Sequence, residues 1–209
     1  MIWTNQVRVS LIWILWFLDE QNGPLYRSWD IGSYFECWDA LVMVLDASPW
    51  GLGGILVKDL WPIAWFSSPL SAYDEQLHGY ARGDHRGQQA WECLAVLVAL
   101  RAWSDYWLGK RITIYIKGDS KSACAVAERL KAGPSAKLVA QELALLYHHA
   151  RFEPKVEHIP GVANQLADAL SRLMAPQDAK DLPEVLATVW QTKIPPRTPA
   201  WYKTLAAEQ

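Results

Sequence analysis

The chain has 209 residues and a formal net charge of −2; 51% of its residues are hydrophobic and 20% are charged. This composition suits one domain with a well-formed core and excludes a chain that is disordered as a whole. No overall basic field is available to hold nucleic acid, and three widely spaced cysteines exclude a disulfide scaffold and favour a reducing, intracellular compartment.

The first 40 residues form a tryptophan-rich arm with a net charge of −3. The segment from Val9 to Phe17 predicts a short apolar helix, and the apolar run at 11–18 is too short to cross a bilayer, which takes roughly 20 residues. Five of the 13 tryptophans lie in this arm and are hard to bury in one small domain. We therefore expect the arm, together with the C-terminal tail, to dock on a protein partner, and we expect no membrane span.

From residue 41 onward the pattern indicates a mixed α/β domain. Short apolar runs rich in β-branched residues predict strands, whereas long apolar stretches without Gly or Pro predict buried helices. In chain order the prediction is strands over 41–45, 55–57 and 63–66, a loop over 67–87, a helix over 88–108, a strand over 111–116, helices over 120–130 and 134–150, a strand over 156–159 and a helix over 164–173. This order predicts a five-stranded mixed sheet, three antiparallel strands followed by two parallel ones, flanked by helices.

The last segment, 175–209, contains five prolines and balanced charge, and predicts an extended tail. The predicted organisation is therefore an arm over 1–40, a domain over 41–174 and a tail over 175–209. The chain opens on Met1, which leaves open both a free-standing product and a piece of a polyprotein.

Four acidic residues lie in four separate predicted elements: Asp46, Glu92, Asp119 and Asp168. Each also has an ordinary structural explanation. Asp46 suits an Asx turn and Glu92 a solvent-facing or paired position on a helix, whereas Asp119 suits an N-cap and Asp168 an interaction with a helix N-terminus. Together they favour a function, because Asp46 and Asp119 end strands at the edge where open α/β sheets place their sites. Four carboxylates gathered there repel one another unless cations lie between them. Hard oxygen ligands suit Mg²⁺, and two such ions can promote phosphodiester hydrolysis.

Four segments resemble, in chain order, the ribonuclease H domain of retroelement reverse transcriptases, with gypsy-like and DIRS-like elements as the nearest type. The segments are LDASPWGLGGILV at 45–57, QQAWECLAVLVALRAW at 88–103, RITIYIKGDSKSA at 111–123 and HIPGVANQLADALSRL at 158–173. The last has the form HIPGxxNxxADxLSR and is the most specific. The resemblance covers about residues 40–174, and the arm more weakly resembles the end of the polymerase thumb or connection region.

This resemblance implies a ribonuclease H-like fold and endonucleolytic cleavage of the RNA strand of RNA–DNA hybrids with two Mg²⁺ or Mn²⁺ ions. It implies that Asp46 bridges both ions, that Glu92 and Asp119 hold the ion near the leaving group, and that Asp168 helps to hold the ion that activates water. All four acids are therefore candidates for both catalysis and metal binding.

Contacts to the hybrid are expected from six polar or basic residues: Ser48, Lys117, Lys121, Asn164, Ser171 and Arg172. Residues 110–137 carry a local net charge of +5, which could follow a phosphate backbone, although a solvated helix face explains that charge equally well.

Two departures from the family pattern keep a second hypothesis open. Lys117-Gly118 precedes Asp119 where relatives have a small hydroxyl residue, and only Val162-Ala163 separates Gly161 from Asn164, so a mobile loop with a histidine is missing. His158 lies nearby on a strand, where a structural role is favoured. The alternative to an active enzyme is a retroelement-derived domain that serves as a non-catalytic structural or interaction subunit of a larger assembly.

Overall fold

A computed structural model describes residues 40–110, 112–150, 154–177 and 179–202, together with Leu11, Ile14, Leu15 and Leu18. Those four residues are helical and exposed, within or next to the predicted helix at 9–17. The rest of the predicted arm, with its tryptophans, lies outside the described residues. Within the described part, no helix has the length and apolar character needed to cross a membrane.

A six-stranded mixed sheet forms the centre of the domain, in the spatial order β5-β4-β1-β2-β3-β6. The strands are β1 (Ala40–Ala47), β2 (Gly51–Lys58), β3 (Trp61–Pro69), β4 (Thr113–Gly118), β5 (Lys155–His158) and β6 (Trp190–Gln191). β1, β2 and β3 pair antiparallel, whereas β4 pairs parallel to β1, β5 to β4 and β6 to β3. The predicted α/β class and its antiparallel-then-parallel order are confirmed. The predicted count of five strands is wrong, because the C-terminal segment adds β6 beside β3.

Helices cover both faces of this sheet. The described helices are α1 (Ala72–His78), α2 (Gln88–Ala102), α3 (Ser104–Trp107), α4 (Lys121–Arg129), α5 (Lys137–His149) and α6 (Gln165–Arg172). The apolar helix α2 packs on β1 and β2, and α4 and α5 pack against it. On β2 the neighbouring residues Leu56 and Ile55 point to opposite faces, and they belong to separate hydrophobic clusters. Ile55 lies with Leu170 of α6, so α6 covers the face opposite to α2.

The segment predicted as a loop over 67–87 contains α1, so that prediction is wrong. Ser71 and Asp74 form a capping box: the Ser71 hydroxyl accepts from the Asp74 amide at 3.0 Å, and the Asp74 carboxylate accepts from the Ser71 amide at 2.7 Å. The helix ends at Gly79, whose φ of 73° is left-handed. The capping-box residues and Gly79 can be seen in the sequence, but the polar residues and glycines around them favoured a loop.

The single helix predicted over 88–108 is interrupted at Trp103. This residue leaves the helical region with φ −110° and ψ 23°, which separates α2 from α3. The Trp107 indole donates to the Leu100 carbonyl at 3.0 Å and folds the short α3 back on the end of α2.

Much of the segment predicted as an extended tail packs against the sheet. Leu186 is buried with Ile55 and Trp65, and the Trp65 indole donates to the Val189 carbonyl at 3.1 Å. Further on, Tyr202 is fully buried in the main core. Residues 182–202 therefore contribute core contacts that the sequence pattern did not indicate.

Gly53 on β2 allows α6 to lie directly on the sheet. A Cβ at this position would lie 2.5 Å from both the Ala167 carbonyl oxygen and the Ser171 amide nitrogen. No side chain fits in that space, so the backbone of α6 approaches the strand closely. This approach places Asp168 and Ser171 beside the end of β1.

Replacing Gly53 by Ala is expected to lower the free energy of unfolding by about 1–3 kcal/mol, because the added methyl group pushes α6 off the strand. Urea denaturation measures the change. The matched control is Gly133→Ala, since a Cβ at Gly133 meets no atom within 4 Å. Equal stabilities of the two variants would show that the close approach is not required.

Candidate active site

Two of the predicted acids are neighbours at one edge of the sheet. β1 and β4 run parallel, and Val44 pairs with Lys117. Asp46 and Asp119 each lie two residues beyond that pair, so their carboxyl groups leave the sheet side by side. Asp119 is not the N-cap of α4, because the Ser120 hydroxyl takes that role by accepting from the Ala123 amide at 3.2 Å.

The Asp46 carboxylate is held by two side chains from the region of α6. The Ser171 hydroxyl donates to Asp46 Oδ2 at 2.8 Å. The Asn164 amide nitrogen donates to the Leu45 carbonyl at 3.1 Å and lies 3.4 Å from both Asp46 Oδ1 and Asp119 Oδ1. Asn164 is the N-cap residue of α6, but its side chain makes no capping bond to that helix, because its amide lies between the two acids.

Glu92 on α2 is held by a residue that the sequence analysis did not single out. Gln88 lies one turn earlier on the same helix face, and its amide nitrogen donates to Glu92 Oε1 at 3.1 Å and to the Ala47 carbonyl at 2.5 Å. Gln88 therefore ties Glu92 to the end of β1. The i, i+4 spacing from Glu92 was the signal that could have identified it.

A small pocket lies between these elements, and Asp46, Glu92 and Asp119 all line it. Asp168 does not line this pocket. Its Oδ1 accepts from Arg172 Nε at 2.7 Å, and its Oδ2 is paired with the ammonium of Lys180. The structure thus brings three of the four acids to one cavity and directs the fourth to two cations beside it.

Burial and neighbouring charges shift the pKa values of these groups. Burial raises the pKa of Asp46 to about 7; the hydrogen bond from Ser171 opposes the rise, whereas the charges of Asp119, Asp168 and Glu92 add to it. Burial also raises the pKa of Glu92, against hydrogen bonds from Ser120 and Gln88. Partial burial acts to raise the pKa of Asp168 as well, but Arg172 and Lys180 outweigh it and lower that pKa.

The donor set fits a hard divalent cation. In the part of the chain that the structure describes, no three His, Cys, Asp or Glu side chains converge closely enough to enclose a metal ion as they stand. The carboxylates around the pocket are nevertheless the oxygen ligands that Mg²⁺ prefers, and their mutual repulsion is what a cation relieves. The buried Asn164 Oδ1 and Gln88 Oε1 also lack a hydrogen-bond partner at the same edge.

Three of the predicted substrate contacts are buried. Ser48, Asn164 and Ser171 are each no more than 1% exposed. Besides the bonds described above, the Ser48 hydroxyl donates to the Ser171 carbonyl at 2.7 Å. These side chains contact the acids and the end of α6, and their contact with a substrate stays a prediction.

The other three predicted contacts, Lys117, Lys121 and Arg172, lie nearer the surface. Lys117 pairs with Glu157 at 2.7 Å, and Arg172 pairs with Asp168. Lys121 is exposed on the first turn of α4, two residues from Asp119. Of the three, Lys117 is the one that lines the pocket. His158 Nε2 lies 3.0 Å from the Asp119 carbonyl oxygen, which agrees with a structural role for this histidine.

Comparison with known proteins gives similarity in structure only. No family model matches the sequence, and no curated protein matches it. Solved structures similar to this chain include RNase H1 from the halophilic archaeon Halobacterium salinarum NRC-1, at 19% identity and a TM-score of 0.44, with 63% of this chain and 92% of that chain covered. LC11-RNase H1, isolated from compost by a metagenomic approach, is 15% identical with a TM-score of 0.40, and 63% and 91% of the two chains are covered.

Proposed function

We propose that this chain is a divalent-metal-dependent endoribonuclease that hydrolyses the RNA strand of RNA–DNA hybrids. The observation that carries the proposal is the shared pocket of Asp46, Glu92 and Asp119 at the edge of a mixed sheet. Burying several carboxylates together costs free energy unless a cation lies among them. A positively charged ligand therefore explains the arrangement. The retroelement origin is part of the proposal and rests on the segment HIPGVANQLADALSRL.

Asp46, Glu92 and Asp119 would hold the metal in the pocket, and Asp168 would serve a second ion beside it. A bound divalent ion supplies a Lewis acid and lowers the pKa of a coordinated water. The protein's own residues do the positioning: Ser171 and Asn164 orient the carboxylates of β1 and β4, and Gln88 orients Glu92.

Recognition of a hybrid needs contacts to phosphates and 2′-hydroxyl groups and does not need base sequence. Lys121 is exposed at the N-terminal end of α4, beside Asp119, where it can contact a phosphate. Because the chain as a whole is slightly acidic, we propose that affinity for the hybrid comes from this local region and falls steeply with salt.

The direct test is cleavage of a hybrid with a labelled RNA strand in Mg²⁺, beside single-stranded RNA, duplex RNA and duplex DNA. We expect cleavage of the hybrid alone. Asp46→Asn and Asp119→Asn are expected to lower the rate by at least about a hundredfold, because each removes a charge from the metal pocket. Asp105→Asn, an exposed acid on α3, is the matched control and keeps the wild-type rate. Equal rates for Asp46→Asn and wild type would contradict the proposal.

A second candidate function is a non-catalytic subunit. The observations that favour it are the two cations on Asp168 and the exposed aromatic side chains of Trp61 and Trp190, which are 74% and 73% exposed near the β3–β6 edge. If the chain cleaves no hybrid and co-purifies in a stable larger assembly, this function replaces the first.

A further inference from the structure

Both oxygens of the Asp168 carboxylate are already paired with protein cations. Arg172 Nε contacts Oδ1 at 2.7 Å, and the Lys180 ammonium contacts Oδ2. A metal ion at Oδ2 would lie next to the Lys180 ammonium, so the two cations compete for this oxygen. Among the described residues, no lysine or arginine pairs with Asp46, Glu92 or Asp119; their partners are the neutral side chains of Asn164, Ser171 and Gln88.

The two cations on Asp168 differ in how firmly the fold holds them. Arg172 lies one turn after Asp168 on the same helix, so this pair is built into α6. Lys180 comes from the segment that follows α6, which is anchored by buried Ala175 before it and by buried Leu186 after it. Between these anchors the described residues near Lys180 are exposed, and its own side chain is 46% exposed. Lys180 is therefore the cation that can be displaced.

We propose that the Lys180 ammonium takes the place of the second divalent ion at Asp168. The inference rests on the proposed function and adds the order in which the two divalent ions bind. The first ion enters the pocket of Asp46, Glu92 and Asp119, where it has no ion pair of the described residues to break. The second ion binds only when it displaces Lys180 from Asp168 Oδ2, so the C-terminal segment sets the metal concentration at which the site is full.

The effect on affinity is modest, because the pair is only partly buried. The Asp168 side chain is 26% exposed, and half-exposed ion pairs contribute little net free energy. Removing the Lys180 charge should tighten binding of the second ion by about two- to fivefold and leave the first affinity unchanged. The difference should shrink at high KCl, because salt screens a pair of this exposure.

The experiment is a calorimetric titration of the full chain with Mg²⁺ and with Mn²⁺, for wild type, Lys180→Gln and Lys131→Gln. Glutamine keeps much of the length of the side chain and removes its charge. Lys131 is an exposed lysine on the loop between α4 and α5, so its substitution controls for the loss of one positive charge from the surface. Bound Mn²⁺ counted by electron paramagnetic resonance checks the stoichiometry independently of activity.

Tighter binding of the second ion by Lys180→Gln alone, with the first step unchanged, supports the inference. If wild type binds two ions and the second affinity is the same in all three proteins, the inference is wrong while the proposed function stands. If wild type binds no divalent ion, the proposed metal pocket is wrong and the inference falls with it. A tighter first step in Lys180→Gln would also overturn it, since Lys180 would then be acting on the pocket.

Discussion

Asp46→Asn is expected to raise the free energy of unfolding of the metal-free protein by roughly 2–4 kcal/mol at about pH 8. Asp46 is 7% exposed, and burial together with three nearby acids raises its pKa to about 7 from an ordinary value of 3.8. Above pH 7 the folded wild type must therefore hold an ionised carboxylate in an unfavourable position. Asparagine carries no charge and keeps an oxygen that can accept from Ser171.

The sign of the pH dependence of stability follows from the direction in which the pKa of Asp46 is shifted. Because the folded pKa of Asp46 lies above the unfolded one, folded wild type binds the proton more tightly between about pH 4 and pH 7. The stability that this proton contributes is fully present below about pH 4 and is lost as the pH rises through 7. The advantage of Asp46→Asn should thus be absent near pH 4 and complete near pH 8.

Urea unfolding of both proteins at the two pH values measures this difference. Millimolar Mg²⁺ should stabilise wild type and leave Asp46→Asn unchanged, since a ligand that binds only the folded state adds stability. Asp105→Asn, the exposed control, should match wild type at both pH values. A pH-independent difference between Asp46→Asn and wild type would mean that the carboxylate is not destabilised by ionisation, and would remove the physical reason for placing a cation there.

The order of the sheet could be predicted because it depends on local patterns and general rules of connection. Short apolar runs identified the strands, and the helices between them required parallel crossovers. β6 could not be found this way. It has two residues, and its place beside β3 depends on the packing of Leu186 and on the bond between the Trp65 indole and Val189, which are tertiary contacts.

The candidate site could likewise be predicted only where it depends on local patterns and not on tertiary contacts. The positions of Asp46 and Asp119 follow from where two neighbouring strands end, which a sequence can show. Their partners do not follow, because the bond from Asn164 to the end of β1 spans more than 100 residues. Asp168 shows the limit most clearly: its position in the helix was predictable, but the contact with Lys180 depends on how the segment after α6 turns back.

Arg197→Met is expected to lower the free energy of unfolding by about 3–5 kcal/mol. The Arg197 and Asp74 side chains are 2% and 0% exposed, and Arg197 Nη2 lies 2.8 Å from Asp74 Oδ2. The guanidinium also donates to the Ser68 hydroxyl and to the Pro69 carbonyl, both at 2.7 Å. Methionine fills part of the volume but leaves the Asp74 carboxylate buried without its guanidinium partner, which is far more costly than the loss of an exposed pair.

The matched control is Arg86→Met, which removes an arginine from a pair of similar geometry at the surface. Arg86 Nη2 lies 2.8 Å from Asp84 Oδ2, but the Arg86 side chain is 84% exposed. This variant should unfold at the same urea concentration as wild type. Equal losses in the two variants would mean that burial does not set the cost of breaking the Arg197 pair.

Combining Arg197→Met with Asp74→Asn distinguishes the loss of the contacts of Arg197 from the burial of an unpaired Asp74 carboxylate. If the cost comes from an uncompensated carboxylate, the double variant should be more stable than Arg197→Met alone. Asparagine is neutral, its oxygen can still accept from the Ser71 amide, and its NH2 group can donate to the Tyr202 hydroxyl oxygen. If it comes from lost packing of residues 194–202 on the core, the double variant should be at least as unstable. The first outcome would show that this pair joins the C-terminal segment to α1 by charge, whereas the second would assign that role to Tyr202 and its apolar neighbours.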